Sequence, residues 1–213
     1  MAAWSVGLNT IFGIGAALLL VRGRFPGKRL LSAVIDLPLA VSPVIVGLAL
    51  TLVYGALTPT GGWLEGHGIQ VIFSTPGMVL ATVFVSLPLV VRAIVPVLQE
   101  MGEEQEQAAA TLGANRWTTF RRITVPGIRW ALAYGIVLCL ARALGEYGAV
   151  AVVSGHIVGG TQTLPLYVDQ EYSNFDLTGA YLAATVLALI AIVALLVTKL
   201  LRPGGRAVRK DPS

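Results

Sequence analysis

Apolar residues along the chain collect into five long runs, near Ser5 to Val21, Ala33 to Leu57, Gly77 to Leu98, Ile128 to Val153 and Leu177 to Leu201. Each has roughly the 17 to 25 residues that carry a helix across a bilayer core. A helix satisfies its own backbone hydrogen bonds and exposes no strand edge to lipid, so continuous runs of this length predict helices. The expected fold class is all-α, a polytopic transmembrane bundle over residues 1–201, with a basic tail at 202–213. Pro38, Pro43, Pro88 and Pro96 fall inside the runs, and each removes a backbone donor and tends to bend its helix.

The polar positions between the runs set an orientation. Arg22, Arg24, Lys28 and Arg29 follow the first run. Arg116, Arg121, Arg122 and Arg129 lie after the third, and Lys199, Arg202, Arg206, Arg209 and Lys210 close the chain. The connections 58–76 and 154–176 contain no lysine or arginine. Basic loops stay on the cytoplasmic side, so five spans alternate without conflict and the C-terminus is expected to be cytoplasmic. Only four residues precede the first run, which predicts a further helix upstream of this start.

Composition agrees: 55% of residues are hydrophobic, 12% are charged and the mean hydropathy is +0.78. That balance excludes an ordinary water-soluble domain. The net charge of +4 is accounted for by the one-sided basic clusters, so no nucleic-acid partner is implied. The single cysteine, Cys139, has no partner for an internal disulfide and reads as packing.

Three ionisable side chains lie well within runs: Arg92, Arg142 and Glu146, with Asp36 nearer an end. Charges at such depth normally face a bundle interior or a water-filled path. Arg142 and Glu146 are four apart and share a helix face. Two readings stand for the pair, together with Arg92: they line or gate a passage, or they fix helix packing as an ion pair. In the connection 154–161, glycines and His156 offer a weak anion contact or a plain turn, and His67 has no partner that would make it a metal ligand.

The longest basic connection, residues 99–127, opens with Glu103, Glu104 and Glu106 before an alanine-rich body that ends at Gly113. Acids at the start and glycine at the end define a short helix. The amphipathic run Trp117, Phe120, Ile123 and Thr124 then leads to Pro126, where the chain is expected to re-enter the membrane after a surface hairpin.

The spacing Gln107-Ala108-Ala109, three residues, Gly113, nine residues, Ile123, one residue, Val125-Pro126 resembles the cytoplasmic loop of permeases from binding-protein-dependent ABC importers. In that family the pattern is Glu-Ala-Ala, three residues, Gly, nine residues, Ile, one residue, Leu-Pro. Both internal spacings agree; Gln107 stands where the family has glutamate, Glu106 lies one position away, and Val125 replaces leucine. Phe25-Pro26-Gly27-Lys28, Leu37-Pro38, Ser42-Pro43-Val44 and the run Ala141 to Ala149 are similar to the sulfate/molybdate branch. Thr163-Leu164-Pro165-Leu166-Tyr167-Val168 resembles sulfate/thiosulfate permeases more than molybdate ones.

The resemblance implies a type I ABC importer permease in a bacterial inner membrane, forming half of a sulfate or thiosulfate pathway. It implies contact with an ATPase through Glu106, Gln107, Ala108, Ala109, Leu112, Gly113, Ala114, Ile123 and Pro126. The implied partners are two copies of the ATPase, which would bind ATP and Mg, a second homologous permease or a second copy of this chain, and a soluble anion-binding protein. The chain carries no phosphate loop, zinc motif or nucleophile elbow, so no catalytic site, cofactor or metal is expected on it. Molybdate or tungstate transport is the alternative within the class, and an ATP-independent secondary transporter or channel the alternative outside it.

Overall fold

The computed structural model describes residues 1–201, and the tail at 202–213 lies outside the described residues. In chain order the helices are α1 (Ala2–Arg22), α2 (Lys28–Ala40), α3 (Pro43–Tyr54), α4 (Pro59–Gly66) and α5 (Thr75–Met101). They continue with α6 (Glu104–Thr111), α7 (Arg116–Thr119), a π-helical turn at Phe120–Thr124, α8 (Val125–Leu144), α9 (Gly148–Val153), α10 (Leu164–Ser173) and α11 (Leu177–Leu201). Among the described residues there is no strand. The helix α1, the helix α5, the continuous stretch Arg116–Leu144 and the helix α11 are each long and apolar enough to cross a membrane.

Helices α1, α5 and α8 form the centre. The buried residues of α1 are Ser5, Asn9, Gly13 and Ala17, small side chains at every fourth position, which lets its backbone approach α5 closely. A methyl group at Gly13 would sit 2.7 Å from Val90 Cγ1, and one at Gly135 on α8 would sit 3.2 Å from Val90 Cα. Val90 is thus wedged between two glycines on opposite sides. One turn away, Asn9 Nδ2 donates to Ser86 Oγ at 2.8 Å and to Cys139 Sγ at 3.3 Å, so a buried polar node joins the same three helices. Cys139 packs against helices, as its apolar setting implied, and also accepts a hydrogen bond.

The run read as one span at Ala33 to Leu57 is two helices, α2 and α3, meeting at 113°. Pro43 has no N–H to continue α2, and its ring drives Ser42 out of the helical region to φ −60°, ψ 133°. Together the pair carries the chain from the end of the bundle where α1 and α5 stop, the basic end, to the far end where α5 begins. The run at Ile128 to Val153 is likewise divided: α8 stops at Gly145 and α9 restarts at Gly148. The two breaks pack on one another, with Gly47 against the Ala149 carbonyl and Val152, and Gly148 against Pro43 and Val44. By contrast α5 runs unbroken through Pro88 and Pro96.

Outside, large apolar side chains such as Trp4, Ile11, Leu52, Leu182, Leu189 and Leu195 are exposed. Such a surface suits a lipid solvent rather than water. The crowding at Val90 makes a prediction. Gly135→Val presses on the α5 backbone and should destabilise the bundle by about 1–3 kcal/mol. Gly7→Ala, where nothing lies within 4 Å of the new methyl, should not. Thermal unfolding of the two variants in detergent checks the contrast.

Candidate functional site

At the basic end, α5 stops at Met101 and Gly102 turns the chain with φ +66° into α6. Glu104 and Glu106 in the first turn of α6 complement its macrodipole. The helix stops in a Schellman arrangement: Gly113 N donates to the Ala110 carbonyl at 3.0 Å and Ala114 N to the Ala109 carbonyl at 3.0 Å. Gly113 adopts φ +82°, a conformation costly for residues bearing a Cβ, which is the physical content of glycine at that spacing. Asn115 then caps α7, its Oδ1 accepting from Thr118 N at 2.7 Å.

The result is a platform that projects from the bundle. Helix α6 buries none of its residues; Leu112 is 88% exposed and Trp117 67% exposed, the latter stacked on Phe120 at 5.6 Å between ring centroids. Gln107 and Ala108 are exposed on the same helix, while Ala109, Ala114 and Ile123 are half-buried and Pro126 is exposed. Leu112 and Trp117, with Gln107 and Ala108 on α6, make up the exposed face of the platform.

Glu106 does not belong to that face. Its carboxylate turns inward, where Oε2 accepts from Arg22 Nε at 3.1 Å and Oε1 accepts from Thr124 Oγ1 at 2.8 Å. Arg22 also donates to the Gly102 carbonyl through Nη2. Expected as a neighbour that could stand in for the family's glutamate at the ATPase contact, Glu106 instead ties α6 to the end of α1, the end of α5 and the π turn. Arg22 and Thr124 are therefore part of the site, although they lie 84 and 18 residues from Glu106. No local spacing signals such a tie.

The expected surface hairpin, with re-entry at Pro126, gains one detail. Its second arm, α7, continues through the π turn into α8 as one stretch from Arg116 to Leu144. Val125 N donates five residues back, to the Phe120 carbonyl. The widened turn accommodates Pro126, whose ring would otherwise crowd the carbonyl four residues earlier, so the helix passes through proline instead of ending at it.

Deeper in the bundle, Arg142 Nη1 pairs with Glu146 Oε2 as the four-residue spacing implied. The pair spans the end of α8 and does not lie along one continuous helix. Glu146, only 1% exposed, sits in the break and its Oε1 accepts from Ala149 N at 2.9 Å, capping α9. Arg92 does not join them: its guanidinium forms a fork on Asp36 of α2, with Nε 2.8 Å from Oδ1 and Nη2 on Oδ2. At the far end, the glycine-rich turn uses its own donors. Ser154 Oγ donates to the Thr161 carbonyl at 2.6 Å, His156 N to Ser154 Oγ at 3.0 Å and Ile157 N to Thr161 Oγ1 at 3.1 Å. His67 leans on Trp63 through its carbonyl and ring.

Residues 9–206 match the family described as the inner membrane component of binding-protein-dependent transport systems. The chain belongs to this family. Relatives of this transport component include the sulfate transport system permease protein CysW of Synechocystis sp., 54% identical over 201 residues, covering 94% of this chain and 73% of the relative. The CysW protein of Escherichia coli K12 is 48% identical over 202 residues, covering 95% of this chain and 69% of the relative. A probable sulfate transport system permease protein cysT of Nephroselmis olivacea is 42% identical over 199 residues, covering 93% and 70%. Among solved structures, a bacterial ABC transporter that imports the acidic polysaccharide alginate shares the fold. Its TM-score is 0.66 at 18% identity, over 94% of this chain and 74% of that one. The transport component is thus a type I importer permease in fold, all-helical and built for an inner membrane.

The buried cap at Glu146 predicts a double-variant pattern. Arg142→Gln leaves Glu146 buried without its counter-charge and should destabilise the protein by about 3 kcal/mol. Adding Glu146→Gln, whose carbonyl can still accept from Ala149 N, should recover most of that loss. Thermal unfolding in detergent of the two singles and the double checks the pattern.

Proposed function

We propose that this chain is the membrane-spanning permease of an ATP-driven sulfate or thiosulfate importer, forming half of the pathway. The observation that carries the reading is the platform at the basic end. Its glycine stop is held in an αL turn, Leu112 and Trp117 are exposed, and its root is tied by Glu106 to α1 and to the π turn before α8, with Arg22 reaching the end of α5. Sulfate is supported by CysW relatives at 48–54% identity over nearly the whole chain.

On this reading the basic end faces the cytoplasm, as the positive-inside tendency requires. The platform lies in a groove of an ATPase, present in two copies, which binds ATP and Mg and hydrolyses the nucleotide; this chain binds neither. The other half of the pathway is a homologous permease or a second copy, and a soluble anion-binding protein delivers the cargo to the far end. Gln107 and Ala108 on the open face of α6, with Leu112, make the contact, while Ala109, Gly113, Ala114, Ile123 and Pro126 shape it. Closure of the ATPase pair moves α6, and the Glu106 tie passes that movement to α1 and α8.

Arg142 and Glu146 act on this reading as the joint that sets the break between α8 and α9, and Arg92 as the pathway residue. The test is uptake of radiolabelled sulfate into vesicles containing the chain with its second permease, ATPase and binding protein, comparing wild type with Gly113→Val. The αL position disfavours a branched side chain by about 1–2 kcal/mol, so coupled uptake should fall roughly tenfold while assembly in the membrane persists. Wild-type uptake of molybdate without sulfate would overturn the choice of anion, and uptake that needs no ATPase would overturn the importer reading.

A further inference from the structure

Arg92 lies nine residues before the end of α5 and Asp36 eight residues into α2. Both therefore sit about 12–14 Å inside their helix ends at 1.5 Å per residue, and both fall within the apolar runs, Asp36 nearer an end. Yet their side chains are open, Arg92 56% and Asp36 28% exposed. Ions in such runs are costly against lipid even when paired, so this face is expected to meet water or protein. It meets a cavity. A space of about 550 Å³ has Arg92 and Asp36 on its wall together with Lys28, Arg29, Ser32 and Gln99. Three cations and one carboxylate line it, an excess of two positive charges in a recess whose remaining wall is apolar, with Phe25, Ile35 and Val95.

The geometry of the fork matters more than its charge. A guanidinium presenting Nε and Nη2 side by side is the shape that grips a carboxylate, a sulfate or a phosphate through two parallel bonds. Asp36 occupies that seat now. Helix α2 is otherwise lightly held: among the described residues, its remaining side-chain polar tie to another element is Lys28 Nζ to the Val21 carbonyl at 3.4 Å. Its outer side chains Leu30, Val34, Leu37 and Leu39 are exposed, and it hinges on α3 at the 113° bend.

We propose that the Arg92–Asp36 fork is a latch displaced by the cargo. A tetrahedral oxyanion entering the cavity takes the Arg92 fork from Asp36, which frees α2 to swing at its bend. The return of Asp36 then expels the anion towards Lys28 and Arg29 at the rim. Asp36 is the built-in competitor that keeps Arg92 from holding a dianion, a requirement for any site that must release what it binds. The inference rests on the importer reading above.

The test uses the assembled importer in liposomes, with sulfate uptake measured over a range of concentrations. Asp36→Asn removes the competitor at constant size, so the apparent KM for sulfate should fall and turnover should fall about tenfold. Release must then break a charge-assisted contact with no replacement. Arg92→Gln should raise KM and lower turnover, and Arg92→Lys, which keeps charge but loses the fork, should raise KM as well. Combining Asp36→Asn with Arg92→Gln should remain as slow as Arg92→Gln alone. Recovery of wild-type uptake in that neutral pair would mean the two ions only cancel one another, and would overturn the latch.

Radiolabelled sulfate should bind saturably to the Asp36→Asn complex in lipid-free detergent without nucleotide, and not to the double variant. Phospholipid retained by Asp36→Asn in place of sulfate would give the seat to a headgroup phosphate and overturn the cargo role. Wild-type uptake with unchanged kinetics in the single variants overturns the latch alone, whereas no sulfate uptake by wild type overturns the importer reading with it.

Discussion

Everything in this bundle hangs on the close approach of three helices at Val90. Within lipid, apolar side chains gain little by leaving one hydrocarbon for another, so helices associate through tight packing and buried polar bonds. Gly13 and Gly135 supply the first, flanking Val90, and Asn9, Ser86 and Cys139 supply the second. The consequence reaches the basic end. Because α1, α5 and α8 are one block, Arg22, Gly102 and Thr124 arrive at fixed positions, and a single carboxylate, Glu106, can bond to the first and last while Arg22 holds the second. The platform is then an extension of the block and not a loop hung from it.

Two breaks in the other helices depend on each other in the same way. A broken helix inside a membrane leaves backbone donors and acceptors without water to satisfy them, and such breaks persist only where protein covers them. Here α9 lies against α3, glycine to backbone at Gly47 and Gly148, and each break covers the other. Glu146 completes the arrangement with one oxygen on the Ala149 N–H and the other on Arg142. A neutral cap could satisfy the amide, but only a carboxylate also neutralises an arginine at that depth, so the acid serves the fold before it serves any pathway.

Much of this was legible in the sequence because it is local. Run length is enough to locate α5 and the end points of α11, and the residues from Glu103 to Gly113 encode a short helix and its glycine stop. What was not legible depends on distant partners. Pro43 announces a bend, yet its size follows from α9 packing into the elbow. The charged positions Arg92 and Asp36 stand out as ions in apolar runs, but helical spacing relates a residue only to its own helix, so it found Arg142 with Glu146 and missed Arg92 with Asp36. Glu106 was read as a surface residue because nothing within its own turn reveals that Arg22 lies beneath it. That α7 continues through Pro126 into α8 was not foreseen, because a π turn has no strong sequence signature.

The substitution of glutamine at position 107 for the family's glutamate now has a physical context. An exposed ion pair at a protein–protein rim is worth about 0–1 kcal/mol after screening and side-chain ordering. Burying a large apolar side chain is worth about 1.5–3 kcal/mol, and Leu112 and Trp117 both stand open on the platform. On the proposed docking, the apolar pair outweighs the missing charge. What the platform needs instead is stiffness, because a contact that yields under load transmits nothing. Stiffness comes from Gly113, whose turn fixes where Leu112 points, and from Glu106, whose carboxylate faces inward. On that docking, a glutamate at position 107 would hold the partner, whereas Glu106 holds the platform to the bundle.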